Sequence, residues 1–459
     1  MTSEDLAPSG FVLEADNPTI IELVSADALG ARLQSLGDAQ RASLERQGFK
    51  AKGGEFAWLE GKGSPRVLCG WDGIDGLAAL GGLPMKLPEG DYALEGEAST
   101  LQLTGWGLGS YQFLRYRAAK RAPARLVLPA AADRDAVINS TRAVALTRDL
   151  INTPAQDMAP SHLEAEIVAM GEIFGAHVDV TIGDALLDLE CGAIHAVGRA
   201  AADAPRLIDL QWGNETHPKV TLVGKGVTFD NGGLDIKPSS AMRLMKKDMG
   251  GAATAIGLAY LVMAQALPVR LRLLIPAAEN AISGNAFRPG DVLNTHKGLT
   301  VEIDNTDAEG RLLLCDALSI ACEEKPEAIF DFATLTGSAR SAVGAEIAAM
   351  WCNDDGLAAS VAEGGARADD AVWRMPLHDA YNHMLDSKVA DLVNCAPSPY
   401  AGAIVAALYL QRFVDRDIPW MHFDIMAYNI RNRPGRPEGG EAMALRAVYD
   451  HLERTYSGE

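Results

Sequence analysis

Residues 298–318 read Gly298-Leu299-Thr300-Val301-Glu302-Ile303-Asp304-Asn305-Thr306-Asp307-Ala308-Glu309-Gly310-Arg311-Leu312-Leu313-Leu314-Cys315-Asp316-Ala317-Leu318. The first six read as a strand and the last seven as a buried helix. Between them Asp307, Glu309 and Arg311 stand at alternate positions, with Gly310 before the arginine. They fall on the loop where a strand ends, which is where open α/β sheets place their ligands. Two hard oxygen donors beside a fixed cation suit a divalent metal and an anionic intermediate. A charged surface turn has the same local composition, so the rest of the chain has to decide.

Outward from this stretch, strands and helices alternate. Short buried strands are expected at 178–182, 207–211, 220–229, 271–275, 328–332, 348–352 and 421–425, with helices such as 251–266 and 311–322 between them. This alternation predicts a mainly parallel sheet flanked by helices. Upstream, a helical pattern over 133–151 ends at Asn152-Thr153-Pro154, and Ser161-His162-Leu163-Glu164 has the form of a capping box. The first 130 or so residues form a separate block, with a strand-like run at 92–103 and a turn at Gly81-Gly82-Leu83-Pro84. Gly105-Trp106-Gly107-Leu108-Gly109 lacks the GxGxxG spacing of a dinucleotide loop. The basic, proline-containing stretch 120–126 reads as a linker. The expected class is α/β: a small α/β N-terminal domain over 1–130, a linker helix over 131–152, and a larger domain over 153–459 with a mainly parallel sheet flanked by helices.

A chain of 459 residues is too long for one ordinary core. Its 48% hydrophobic and 22% charged residues describe a folded globular protein. The net charge, 41 − 61 = −20, argues against nucleic-acid and anionic-membrane partners, which need basic surface. Six scattered cysteines without a CxxC pair read as buried thiols. The start, Met1 to Ala7, lacks a basic and then apolar leader, and no apolar run is long enough to span a bilayer. A cytoplasmic location is expected.

The second informative stretch is Val223-Gly224-Lys225-Gly226-Val227-Thr228-Phe229-Asp230-Asn231-Gly232-Gly233-Leu234-Asp235-Ile236-Lys237-Pro238. It has no GxxxxGK[ST], so it is not a phosphate loop. Two lysines and two aspartates among apolar and glycine residues are hard to explain as a solvated face. Met245-Lys246-Lys247-Asp248-Met249-Gly250-Gly251 follows, and Asp248 precedes an alanine-rich helix, where capping alone would account for it. The nine histidines contain no HExxH, His378 and His383 lack a CxxC to complete a zinc finger, and there is no GxSxG elbow. What remains is a carboxylate group, Asp230, Asp248, Asp307 and Glu309. Acids converging at strand ends repel one another unless cations neutralise them, and a pair of divalent ions does so.

These motifs resemble the leucine aminopeptidase (cytosol aminopeptidase) family of two-zinc exopeptidases over residues 135–455. The carriers are Gly224-Lys225-Gly226 with Phe229-Asp230, Ile236-Lys237-Pro238, the run 245–251, Asn305 to Leu312, and Ala333-Thr334-Leu335-Thr336-Gly337. The resemblance implies a catalytic domain over 153–459 that removes N-terminal residues from peptides by two-metal-assisted hydrolysis, with leucine-type or broad specificity. It implies zinc or manganese at two sites: Lys225, Asp230, Asp248 and Glu309 at one, Asp230, Asp307 and Glu309 at the other. Two nearby dications would depress the pKa of Lys225 enough for a neutral amine to ligate. Lys237 is expected to stabilise the oxyanion and Arg311 to hold a bicarbonate ion that relays the proton. Met245, Thr334 and Gly337 are expected to line the side-chain pocket, and Asn305 and Leu335 to bind substrate. A homo-hexamer is implied as well.

Three positions depart from the family pattern. Asn231 and Asp235 replace small hydroxyl or amide residues, Asp235 adding an acid near the proposed metals, and Met426 stands where a smaller residue is usual. The rival readings are another two-metal hydrolase, such as a phosphoesterase, and a secondary DNA-binding or scaffold role.

Overall fold

The computed structural model describes residues 10–61 and 64–458; the stretch from Met1 to Ala7, read above for a leader, lies outside them. The chain divides into two compact units, Met1–Ala145 with Ile430–Glu438, and Leu146–Asn429 with Gly439–Glu459. The division falls inside the helix Arg134–Asn152.

The first unit holds a six-stranded sheet in the order Phe11–Val12, Arg125–Val127, Asp91–Leu94, Thr19–Ser25, Arg66–Trp71, Phe56–Leu59. All neighbours are parallel except the last pair. Two local readings give way here. The run 92–103 is not one strand: the strand stops at Leu94, and Ser99 begins the helix Thr100–Ser110 by accepting from Gln102 N at 3.1 Å. Gln102 returns the bond by accepting from Ser99 N, a reciprocal cap that strand pairing could not match. The stretch 120–126 is not a free linker, because Arg125–Val127 pairs within the sheet. The glycines of 105–109 lie inside the helix. A Cβ on Gly105 would stand 2.2 Å from Leu77 O, and one on Gly109 2.0 Å from Gly81 O. Their purpose is close packing against the helix Ala78–Gly81.

The second unit is built on a nine-stranded sheet. Its main path runs Val372–Arg374, Ala348–Cys352, Trp420–Asp424, Ala328–Ala333, Lys219–Gly224, Arg270–Asn280, Arg206–Trp212, His177–Ile182, and Gly226–Asp230 also pairs with Arg270–Asn280. The central strands from Trp420–Asp424 to Arg270–Asn280 are parallel, and antiparallel pairs flank them. Helices cover both faces, as period-two alternation requires. In Ala328–Ala333, Ile329 joins the cluster that contains Leu312, Leu313 and Leu408, while Phe332 turns the other way and stacks on Phe423 with ring centroids 5.0 Å apart.

Three further readings are refined. The run 220–229 is two strands, broken at Lys225, whose N–H donates to Phe332 O at 2.9 Å. The pattern Ser161 to Glu164 does not cap its helix, which starts at Pro160; His162 Nδ1 accepts from Ala159 N, and Glu164 is drawn away to Arg206. The strand before Asn305 is only Thr300–Glu302, and it belongs to a three-stranded side sheet with Val292–Asn294 and Leu392–Val393 rather than to the main sheet. The parallel strands nevertheless end together at Gly224, Asp230, Ala333 and Asp424. The site lies at these ends.

Candidate metal centre

All of the residues expected at the site line one cavity of about 440 Å³. Lys225 stands in the break between the strands Lys219–Gly224 and Gly226–Asp230, Asp230 ends the second of them, Asp248 sits in the 3-10 turn Met245–Met249, and Asp307 and Glu309 precede the helix Gly310–Glu323. Lys237, Arg311, Met245, Asn305, Thr334, Leu335 and Gly337 complete the expected set. Met426 is not among the lining residues.

The charges interlock. Lys225 Nζ lies 2.7 Å from Asp248 Oδ2 and 3.1 Å from Glu309 Oε1, and it donates to Thr334 O at 3.2 Å. Lys237 Nζ lies 2.7 Å from Asp230 Oδ2 and also pairs with Asp307. Thr334 Oγ1 donates to Asp248 Oδ1 at 2.8 Å. Asp230 Oδ1 accepts from Gly232 N and Asn280 Nδ2, both at 2.9 Å. Arg311 Nη1 donates to Asn394 O at 2.6 Å, while its buried Nε has no partner among the described residues.

Titration reflects this crowding. Burial first, then Asp230, pushes Glu309 up to about 7. Burial and then Asp248 push Asp230 up to about 6, and burial likewise raises Asp307. Burial works against charge on Lys225 and Lys237, but the surrounding carboxylates outweigh it and hold both ammonium groups above their ordinary range. Burial pushes Asp248 up, but Lys225, Lys247 and the hydrogen bonds from Lys225 and Thr334 together outweigh it and hold the acid below its ordinary value. Lys247 goes the other way: burial pushes it down to about 7, opposed by Asp248 and reinforced by Arg340.

The donor set fits divalent cations. Asp230, Asp307 and Glu309 offer oxygens within 4.8 Å of one another. Glu309 is 1% exposed, yet its Oε2 has no hydrogen-bond partner among the described residues. Asp230, Asp248, Asp307 and Glu309 are four hard oxygen donors lining one cavity, the ligand type that divalent cations take.

Several contributors escaped the sequence reading. Asn394 holds the loop from both sides: its Oδ1 accepts from Asp304 N at 2.8 Å, and its Nδ2 donates to Asn305 O at 2.7 Å. Asn280 anchors Asp230 in a similar way. Neither carries a local motif. Asp235 is not a free acid beside the carboxylate cluster, because its Oδ2 accepts from Thr306 N at 2.7 Å and from Thr306 Oγ1 at 3.1 Å. Asn231 Oδ1 accepts from Gly233 N at 2.8 Å and shapes the turn. Lys247 and Arg340 also line the cavity.

Fold and site together define a two-unit α/β protein with a carboxylate–lysine centre suited to divalent metal at the ends of a parallel sheet. The chain belongs to the cytosol aminopeptidase family. Residues 145–449 match the family's catalytic domain, and residues 19–129 match the M17 aminopeptidase N-terminal domain. A probable cytosol aminopeptidase of Nitratidesulfovibrio vulgaris is 42% identical over 311 residues, covering 66% of this chain and 61% of that protein. The chain thus spans about three fifths of that relative's length. A 1.8 Å crystal structure of the cytosol aminopeptidase from Coxiella burnetii superposes with a TM-score of 0.93 at 47% identity, covering 96% of this chain and 98% of that one. The bottromycin maturation enzyme BotP, in complex with Mn, matches with a TM-score of 0.86 at 31% identity, over 96% of this chain and 100% of that one.

Proposed function

We propose that the protein is a metal-dependent aminopeptidase that removes N-terminal residues from peptides, with broad or leucine-type specificity. The observation that carries this reading is the convergence of Lys225, Asp230, Asp248, Asp307 and Glu309 on one cavity beside Lys237 and Arg311. Asp230, Asp248, Glu309 and Lys225 would hold one ion, and Asp230, Asp307 and Glu309 the other, as zinc or manganese. Such ions supply Lewis acidity and a readily deprotonated water.

The chain's own groups supply the rest. Lys237 Nζ, held by Asp230 and Asp307, is placed to donate to the oxygen of the first peptide carbonyl as negative charge gathers there. Arg311, held through Nη1 by Asn394 O, leaves its Nε to fix a bicarbonate ion as proton acceptor. Asn305 and the backbone of Leu335 orient the substrate. Leu335 is braced because its N–H donates to Asp424 Oδ1 at 2.9 Å. Met245, Thr334 and Gly337 receive the first side chain.

The catalytic domain over 153–459, a cytoplasmic location and homo-hexameric assembly belong to the same proposal. No helix among the described residues is long and apolar enough to cross a membrane.

The test is release of amine from leucyl and methionyl anilides by protein loaded with zinc or manganese, run beside phosphatase substrates. Hydrolysis of the anilides is expected, with turnover abolished and metal content lowered in Asp307→Ala and Glu309→Ala. Phosphatase activity alone would overturn the peptidase reading.

A further inference from the structure

The same cavity holds two cations that its acids do not pair. Its lining contains four carboxylates, Asp230, Asp248, Asp307 and Glu309, and five cationic side chains, Lys225, Lys237, Lys247, Arg311 and Arg340. Lys225 and Lys237 between them engage all four acids, and Arg311 is tied to Asn394 O. Lys247 and Arg340 are left over. Lys247 is only 2% exposed, yet its Nζ has no hydrogen-bond partner among the described residues; Arg340 Nη1 is buried and equally unpartnered.

Two buried polar nitrogens without partners are unfavourable, and a carboxylate placed between them would satisfy both. The neighbouring acids are engaged elsewhere and make no hydrogen bond to Lys247 Nζ. Asp424 accepts from Leu335 N, Thr336 N and Thr336 Oγ1, and Asp248 is taken by Lys225 and Thr334.

The place of these cations matters as much as their charge. Lys247 shares the turn Met245–Met249 with Met245, and Arg340 lies in the helix Gly337–Val343. A Cβ added to Gly337 would stand 3.8 Å from Arg340 Nη2, so the guanidinium faces the space that the glycine leaves open. Met245 and Gly337 are two of the residues given above to the first side chain of the substrate.

We propose that Lys247 and Arg340 form a carboxylate-recognition subsite that selects peptides whose first residue is aspartate or glutamate. The proposal rests on the aminopeptidase reading and gives it a substrate class. An entering carboxylate would accept from both cations in charge-assisted hydrogen bonds, whereas the isosteric amide would present its NH2 group to one of them.

The experiment compares kcat/KM for glutamyl against glutaminyl, and aspartyl against asparaginyl, anilides and peptides with the metal-loaded enzyme. The acidic member of each pair is expected to be favoured about tenfold or more, the scale of one lost hydrogen bond between charged groups. Lys247→Met and Arg340→Met should each bring that ratio toward unity, and Arg340→Lys should restore part of it. Metal content is measured in every variant, because Lys247 adjoins Asp248. Calorimetric binding of free L-glutamate against L-glutamine provides a second readout, with the same preference expected. Equal rates on glutamyl and glutaminyl substrates, with ready hydrolysis of leucyl ones, would overturn the subsite and leave the aminopeptidase reading standing. Preferential glutamate binding with no hydrolysis of any peptide would overturn the aminopeptidase reading, and with it the selection of peptides.

Discussion

Replacing Gly310 by alanine asks whether the metal centre depends on a position that itself offers no ligand. Gly310 opens the helix Gly310–Glu323 directly after Glu309, and a Cβ there would stand 2.4 Å from Lys225 Cε and 2.7 Å from its Nζ. At an unconstrained helical site the exchange would gain up to about 1 kcal/mol. Here a methyl group forced into a filled interior costs about 1–3 kcal/mol. Lys225 relieves the overlap only by leaving Asp248 and Glu309, and breaking a buried pair costs about 3–5 kcal/mol. These costs are alternatives and the chain takes the smaller, so after the helical gain the net loss is about 1–2 kcal/mol. Each kcal/mol moves Tm by about 2–4 °C in a large domain, so the metal-free protein should melt about 2–8 °C lower. Because Lys225 is one of the proposed ligands, zinc or manganese retained after dialysis should fall as well. Thermal melts of the metal-free form, together with elemental analysis of the reloaded form, measure both effects. A variant that melts as high as the parent and retains its metal would refute the argument that this glycine exists to make room for Lys225.

Three other outcomes follow from the same geometry. Arg311→Ala should retain both metals and lose rate by about 10²-fold, the scale of acid–base assistance; loss of metal instead would show in elemental analysis and contradict its role. Gly251→Ala should be destabilised by about 3 kcal/mol or more in a denaturant melt, because its Cβ would meet Phe332 O at 2.0 Å and strand backbone cannot swing aside as a side chain can. Asp316→Asn should cost about 1–3 kcal/mol in the same assay. The carboxylate accepts from Ala193 N, Ile194 N and His296 N, and the amide of asparagine would turn a donor toward one side of that set.

What local sequence determined is what depends on near neighbours. Apolar runs alternating with helical patterns announced a covered parallel sheet, because strand and helix burial repeat every few residues along the chain. Lysines and acids set among apolar and glycine residues at 225–237 announced a site, because such charges are hard to explain as a solvated face, and beside them the acids of 305–312 stopped reading as a charged turn. Tertiary structure decided the partners. Asn280 reaches Asp230 across 50 residues and Asn394 reaches Asn305 across 89, and nothing within either segment marks the pairing. The capping pattern at Ser161 failed for the same reason, since Arg206, 42 residues away, claims Glu164. Lys247 shows the limit most clearly. In sequence it is one of two adjacent lysines before an aspartate, and no motif sets it apart. Only the folded chain buries its ammonium beside acids that other groups have already taken, because charge pairing depends on distance in space and not along the chain.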